Sequence, residues 1–122
     1  MDFKFGIDIV EIKRIKNLIN KRKNFISKVF TKKEITYCRS KKNPCLHFAS
    51  RFAAKEAFLK AVSSGWQGKL KWKDIEVYND KFGKPMIFLL SSKYKFIQKI
   101  KDIELTISQD KSHAIAFVAI RR

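Results

Sequence analysis

Phe3, Phe5, Ile7 and Ile9 alternate with other residues at the start of the chain, and this period of two predicts a half-buried β-strand that leaves Asp8 on the opposite face. The period then lengthens. Ile12, Ile15, Leu18 and Ile19 recur at helical spacing among Lys13, Arg14, Lys16, Lys21 and Arg22, which predicts a basic amphipathic helix. Thr31-Lys-Lys-Glu34 matches a capping box, so a second helix is expected from Thr31 towards Arg39, with Asn43-Pro44 breaking the pattern. A long helix follows from about Leu46 to Val62, ended by the glycine-bearing stretch at 63–68. Trp72 to Tyr78 reads as a strand, Asn79 to Pro85 as a turn and Met86 to Leu90 as the partner strand. Ser91 or Ser92 caps a short helix to about Ile100; Ile103, Leu105 and Ile107 then alternate, and Ala114 to Ile120 closes a last hairpin after a polar stretch. Strand, helices, hairpin, helix, hairpin is the order of an α+β domain with a mainly antiparallel sheet and helices packed against it. A single domain over residues 1–122 is expected, without repeats or linkers.

Composition narrows this picture modestly. With 45% hydrophobic and 13% aromatic residues in 122, the chain has enough apolar side chains for a real core. Its formal charge of +17 implies an acidic partner, whether nucleic acid, anionic membrane, phosphorylated ligand or acidic protein. The lysines are spread along the chain, as in Lys13-Arg14, Lys21-Arg22-Lys23 and Lys41-Lys42, and do not by themselves mark a DNA site. No apolar run approaches the roughly 18–20 residues that span a bilayer, and the first residues lack the apolar core of a signal peptide, so a soluble cytoplasmic protein is expected. Cys38, Cys45 and His47 fall short of four zinc ligands at a usual spacing, and free thiols are expected. Neither His47 nor His113 sits in a context that supports a catalytic triad.

Two places carry candidate chemistry. Arg51-Phe-Ala-Ala-Lys55-Glu56-Ala-Phe-Leu-Lys60-Ala61 sets four charged groups at helical spacing, Arg51 with Lys55 on one edge and Glu56 with Lys60 on another, where an anionic ligand can be held. Glu56 and Lys60 also suit an ordinary surface pair worth about 0.2–0.5 kcal/mol. The second place is Gly6-Ile7-Asp8, where glycine and aspartate interrupt a strand against local propensity, as functional sites often do. An Asp8 that simply faces water at the strand end fits the pattern equally well.

Taken together, Phe5-Gly6-Ile7-Asp8-Ile9-Val10-Glu11-Ile12-x-Arg14-Ile15, Phe30-Thr31-x-x-Glu34, the Arg51–Ala61 run and Asp80-x-x-Gly83-Lys84-Pro85 resemble holo-[acyl-carrier-protein] synthase over nearly the whole chain. The resemblance implies the 4′-phosphopantetheinyl transferase fold and a Mg²⁺-dependent transfer of 4′-phosphopantetheine from coenzyme A to a serine of apo-acyl carrier protein, releasing adenosine 3′,5′-bisphosphate in support of fatty acid biosynthesis. It assigns Asp8 and Glu56 to the metal, Lys60 to the pyrophosphate and the leaving group, and Arg51 to a further anion contact. The serine proton goes to a carboxylate, Glu56 first and Asp8 second. Ser64 and Gly65 would lie along the coenzyme A phosphates, Gly83, Lys84 and Pro85 near its nucleotide end, and Ser108 beside it. Arg14, Leu18, Lys21 and Phe25 match the family's docking positions for the acidic carrier protein, with Lys21 where an arginine is common. The small form of the family is a homotrimer with coenzyme A between subunits.

One departure stands out. Family members often carry Ser/Thr-His-Ser/Thr after the next-to-last strand, whereas this chain reads Ile107-Ser108-Gln109-Asp110, which predicts weaker or rearranged nucleotide contacts and an extra negative charge beside a phosphorylated ligand. A non-catalytic nucleic-acid-binding module is the competing reading from another class, and leaves Asp8 and Glu56 without a task. A synthase homologue that binds coenzyme A without turnover is the third.

Overall fold

In a computed structural model, residues 2–62, 70–91 and 95–122 are described, the side chains of 95 and 96 excepted. Strand β1 (Phe3–Glu11) leads into helix α1 (Ile12–Lys21), a short α2 (Phe25–Val29), α3 (Lys32–Arg39) and the long α4 (Pro44–Val62). A single 3₁₀ turn (Trp72–Asp74) precedes β2 (Ile75–Asn79), which is followed by β3 (Pro85–Leu89), α5 (Lys95–Gln98), β4 (Asp102–Gln109) and β5 (His113–Arg121). The strands form an antiparallel sheet in the order β1-β5-β4 and a separate β2-β3 hairpin. An α+β fold with antiparallel sheets and packed helices is what the sequence pattern predicts.

Helix α4 is apolar on nearly every side because it is buried on nearly every side, packed on β1 and β5 and flanked by α1, α3 and β2. Phe30, Phe48, Phe52 and Phe58 are buried around it, each contributing roughly 1.5–3 kcal/mol of apolar burial. Phe52 stacks on Trp72 with ring centres 5.3 Å apart, which ties the 3₁₀ turn to the helix. Pro44, read from sequence as a breaker, is the first residue of α4, where its missing N–H costs nothing. The stretch expected to be strand from Trp72 begins instead as the 3₁₀ turn, and α2 has no counterpart in the sequence pattern.

The largest correction concerns β1. Its strand period is as expected, but Phe3, Phe5, Ile7 and Ile9 are 48–60% exposed, and the face of Gly6, Asp8 and Val10 meets α4. Gly6 explains the choice of face. A Cβ at this position would lie 1.8 Å from the Ala57 carbonyl oxygen and 2.8 Å from the Ala61 nitrogen, so only glycine lets the strand backbone press against the alanine stripe of α4.

Lys55 is a second correction. Its side chain is fully buried, giving its three N–H groups to the Val29 carbonyl (2.7 Å), Glu34 Oε1 (2.7 Å) and the Trp72 carbonyl (3.1 Å). Glu34 closes the expected capping box with Thr31 and also accepts from the Val77 amide at 2.8 Å. Thr31 Oγ1 in turn donates to Glu76 at 2.7 Å. Burial pushes the Lys55 ammonium pKa below its ordinary value, with Glu34 opposing.

Candidate active site

Asp8 and the second half of α4 meet because Gly6 sets the distance between strand and helix. Lys60 Nζ reaches across to donate to Asp8 Oδ1 at 3.0 Å and to the Ile7 carbonyl at 3.1 Å, so its ion pair runs to the strand and spans 52 residues of sequence. The Asp8 side chain is 15% exposed and Lys60 55% exposed, which places the pair at the lip of the interface. Glu56 lies one helical turn before Lys60 and is partly buried. Burial first, and the Asp8 charge second, push the Glu56 carboxyl above the usual carboxylate range, while Lys60 and Arg14 pull it back. Two carboxylates and two cations therefore share one electrostatic neighbourhood.

The donor set suits a hard divalent cation. Mg²⁺ takes one or two carboxylates and fills its octahedron with water and substrate phosphate, and the mutual repulsion of Asp8 and Glu56 is the charge that such an ion relieves. Among the described residues no group of three or more His, Cys, Asp or Glu could hold a metal, so the remaining ligands at Asp8 and Glu56 would come from solvent and substrate.

Beside this group, α1 and α2 form an open groove of about 590 Å³ lined by Arg14, Leu18, Arg22, Phe25, Lys28 and Trp72, among others. Arg14, Leu18 and Phe25 are three of the four docking positions that the resemblance implies. Lys21 ends the same helix, exposed and outside the groove lining. Arg22 and Lys28 join the groove without a sequence signal, since a lysine-rich composition hides which cations converge. Arg14 links the two regions, standing in the groove while its charge acts on Glu56.

The other expected residues divide differently. Arg51 is 3% exposed, roughly half a turn around α4 from Lys60, stacked on Tyr37 at 3.9 Å and donating from Nη2 to Asn79 Oδ1 at 2.8 Å; its Nε has no hydrogen-bond partner among the described residues. Asn79 donates to the Gly83 carbonyl at 3.0 Å, so Arg51 belongs with the Gly83-Lys84-Pro85 turn and is separate from the carboxylate pair. Gly83 takes the positive φ of 84° that the turn requires, and Asp80 Oδ1 accepts from the amides of Phe82 and Lys84. Lys84 pairs with Glu104 at the surface. Ser108 is exposed and paired in register with Ile115, one position from the α4-facing Gln109. Ser64 and Gly65 lie outside the described residues. Asp110, expected to add a negative charge, is bonded into its own turn: Oδ1 accepts from Ser112 N, Ser112 Oγ and His113 N, and these bonds hold its pKa below the ordinary value. Cys38 is a buried free thiol pushed up to about 12, and Cys45 is also free.

The family model for the 4′-phosphopantetheinyl transferase superfamily matches residues 4–118. The chain belongs to this superfamily. It is 44% identical over 117 residues to the holo-[acyl-carrier-protein] synthase of Clostridium tetani, covering 94% of this chain and 92% of that protein. Its fold matches the crystal structure of the holo-[acyl-carrier-protein] synthase of Neisseria meningitidis with a TM-score of 0.85 and 33% identity, covering 98% of each chain. The Helicobacter pylori synthase in complex with coenzyme A gives 0.83 and 32%, covering 96% of this chain and 99% of that one. The resemblance read from the motifs is therefore borne out, and this phosphopantetheinyl transferase superfamily member carries its carboxylate pair and Lys60 on β1 and α4.

Proposed function

We propose that this chain transfers 4′-phosphopantetheine from coenzyme A to a serine hydroxyl of apo-acyl carrier protein, giving the holo protein and adenosine 3′,5′-bisphosphate. The observation that carries the reading is the convergence of Asp8, Glu56, Lys60 and Arg14 beside a basic groove. Phosphoryl transfer asks a protein mainly to position reactants and balance charge. Lys60, half-exposed at the lip of the β1–α4 interface, neutralises the pyrophosphate and the charge that develops on the leaving phosphate oxygen. Glu56, its affinity for protons raised by burial and by Asp8, takes the proton from the serine hydroxyl as that oxygen bonds to phosphorus and the bond to the leaving nucleotide breaks. Asp8 and Glu56 would hold Mg²⁺, which supplies further neutralisation of the pyrophosphate when bound.

The carrier protein docks on α1. Carrier proteins of this type are strongly acidic, and Arg14, Lys21, Arg22 and Lys28 offer the complementary charge around Leu18 and Phe25. Arg51 and the Gly83-Lys84-Pro85 turn belong to the nucleotide end of coenzyme A. The working form is a homotrimer with coenzyme A between subunits, in keeping with the apolar face of Phe3, Phe5, Ile7, Ile9 and Phe117 that a single chain leaves exposed. The role is a cytoplasmic one in fatty acid biosynthesis; among the described residues no helix is long and apolar enough to cross a membrane.

The test is the intact mass of an apo-acyl carrier protein after incubation with the chain, coenzyme A and Mg²⁺. A gain of about 340 Da that EDTA abolishes is the expected result. No gain with several carrier proteins, with folded chain and bound coenzyme A, overturns the reading.

A further inference from the structure

We propose that Lys55 is a positioning residue for carrier-protein docking: its buried ammonium holds the end of α2 and the 3₁₀ turn at the spacing at which an acidic partner seats against them. The assignment rests on the transferase reading above and deepens it, naming the residue that shapes the docking groove from behind.

The groove is built in part from pieces too short to hold their own places. Helix α2 has five residues and the 3₁₀ turn three, too few for either to be stable through its own hydrogen bonds. Both line the groove, α2 through Phe25, Lys28 and Val29 and the turn through Trp72. The floor comes from α4, where Phe52 packs on Phe25 with ring centres 5.9 Å apart and on Trp72 at 5.3 Å. Aromatic pairs accept separations from about 4.5 to 7 Å, so ring packing alone leaves the walls room to shift. Lys55, three residues on from Phe52, removes that freedom. Its Nζ donates to the Val29 carbonyl at 2.7 Å and to the Trp72 carbonyl at 3.1 Å, and both carbonyls belong to groove-lining residues. Val29 is the last residue of α2, where the helical ladder no longer supplies a donor. The third N–H goes to Glu34 Oε1 and anchors the ammonium to α3.

A buried ion pair at this place points to geometry more than to stability. Two charges taken out of water gain little over apolar packing of the same volume, so an apolar pair would hold α3 and α4 together about as firmly. It would not hold the two carbonyls. One ammonium gives three directional bonds from a single atom, and here they run to α2, α3 and the 3₁₀ turn. Phe52, Lys55 and Glu56 thus place the groove floor, the tie to its walls and the carboxylate assigned to the serine proton within five consecutive residues of α4. The partner's seat is measured from the same helix that bears that carboxylate, and loosening the tie costs docking affinity while the carboxylate stays where it is.

Glu34→Gln combined with Lys55→Met removes the tie alone: the amide at position 34 still closes the capping box with Thr31, and neither member of the pair is left as a lone buried charge. Calorimetric titration with an apo-acyl carrier protein whose acceptor serine is replaced by alanine reads docking without turnover. The double variant is expected to bind it about fivefold more weakly, the scale of a lost hydrogen bond. In turnover the KM for carrier protein should rise by the same factor, while kcat and the KM for coenzyme A stay within about twofold of the parent values. Unchanged carrier affinity in the folded double variant, or an equal loss for coenzyme A, overturns the assignment and leaves Lys55 as a purely structural tie. Should the double variant fail to fold, the parent chain decides by NMR. Its Lys55 ¹⁵Nζ resonance is expected to shift when the same carrier protein is added and to stay in place with adenosine 3′,5′-bisphosphate; a resonance unmoved by the carrier protein, or moved equally by both, overturns the assignment. A parent chain that binds carrier protein but modifies none overturns the transferase reading while the titration still reports on Lys55, and one that binds no carrier protein overturns both.

Discussion

Glu56 and Asp8 repel one another across the β1–α4 interface, and that repulsion is measurable at a single carboxyl. In the metal-free protein the Glu56 pKa stands above its ordinary value; Asp8→Asn removes the neighbouring charge, so the Glu56 midpoint is expected to fall, read by carbon-detected NMR titration of its side chain. No movement would separate the two carboxylates. At the proposed metal site, protons would compete with the ion at a higher pH than at an ordinary glutamate, so metal affinity should decline as pH drops through the raised Glu56 midpoint, and in Asp8→Asn that decline should shift to lower pH. At this scale the sequence was partly legible. Asp8 announced itself as an acid in an apolar strand after a glycine, but the partner of Lys60 did not, because Glu56 four residues earlier offers the local pairing that helical spacing favours, whereas Asp8 becomes available only once strand and helix are packed.

The elements are held in register by two devices of opposite character. Gly6 removes atoms so that β1 can touch α4, and Gly6→Ala is expected to cost about 3 kcal/mol or more in chemical denaturation, since the obstacle is helix backbone and cannot rotate aside. The Lys55–Glu34 pair adds bonds, joining α4, α3, the end of α2 and the 3₁₀ turn through one ammonium. Glu34→Gln leaves that ammonium buried without its counter-charge and is expected to lower stability by about 3–5 kcal/mol, a loss that Lys55→Met added in the same chain should largely restore. A loss below about 1 kcal/mol in Glu34→Gln would show that the pair is not closed in solution. Helices and strands were readable from period and caps, as the Thr31 box shows. Which face of β1 turns inwards was not readable, because Phe3, Phe5, Ile7 and Ile9 are the apolar face by any hydropathy rule, yet it is the small face that packs. Lys55 misleads for a related reason: helical spacing shows that two cations share an edge and says nothing of the glutamate 21 residues earlier that draws one of them inside.

At the scale of the whole molecule, the exposed row of Phe3, Phe5 and Phe117, with rings stacked about 6 Å apart, is more apolar surface than one chain keeps in water. On the proposed trimer, Phe5→Glu is expected to shift the sedimentation coefficient to that of a monomer, and a parent chain that already sediments as a monomer would contradict a trimer built on that face. Charge acts on the same scale: in the proposed docking, a net +17 draws in the acidic carrier protein over a Debye length and the groove of Arg14, Leu18 and Phe25 fixes its orientation. Arg14→Glu should therefore raise the KM for carrier protein more than that for coenzyme A, and the excess should shrink with added salt. The measurement that tests the account most directly is the time course of carrier-protein modification by Glu56→Gln, followed by intact mass beside the parent chain. With folding and coenzyme A binding retained, a rate at least about 100-fold lower is predicted for the loss of one charge-stabilising group. A rate near that of the parent chain would contradict the placement of the chemistry between β1 and α4.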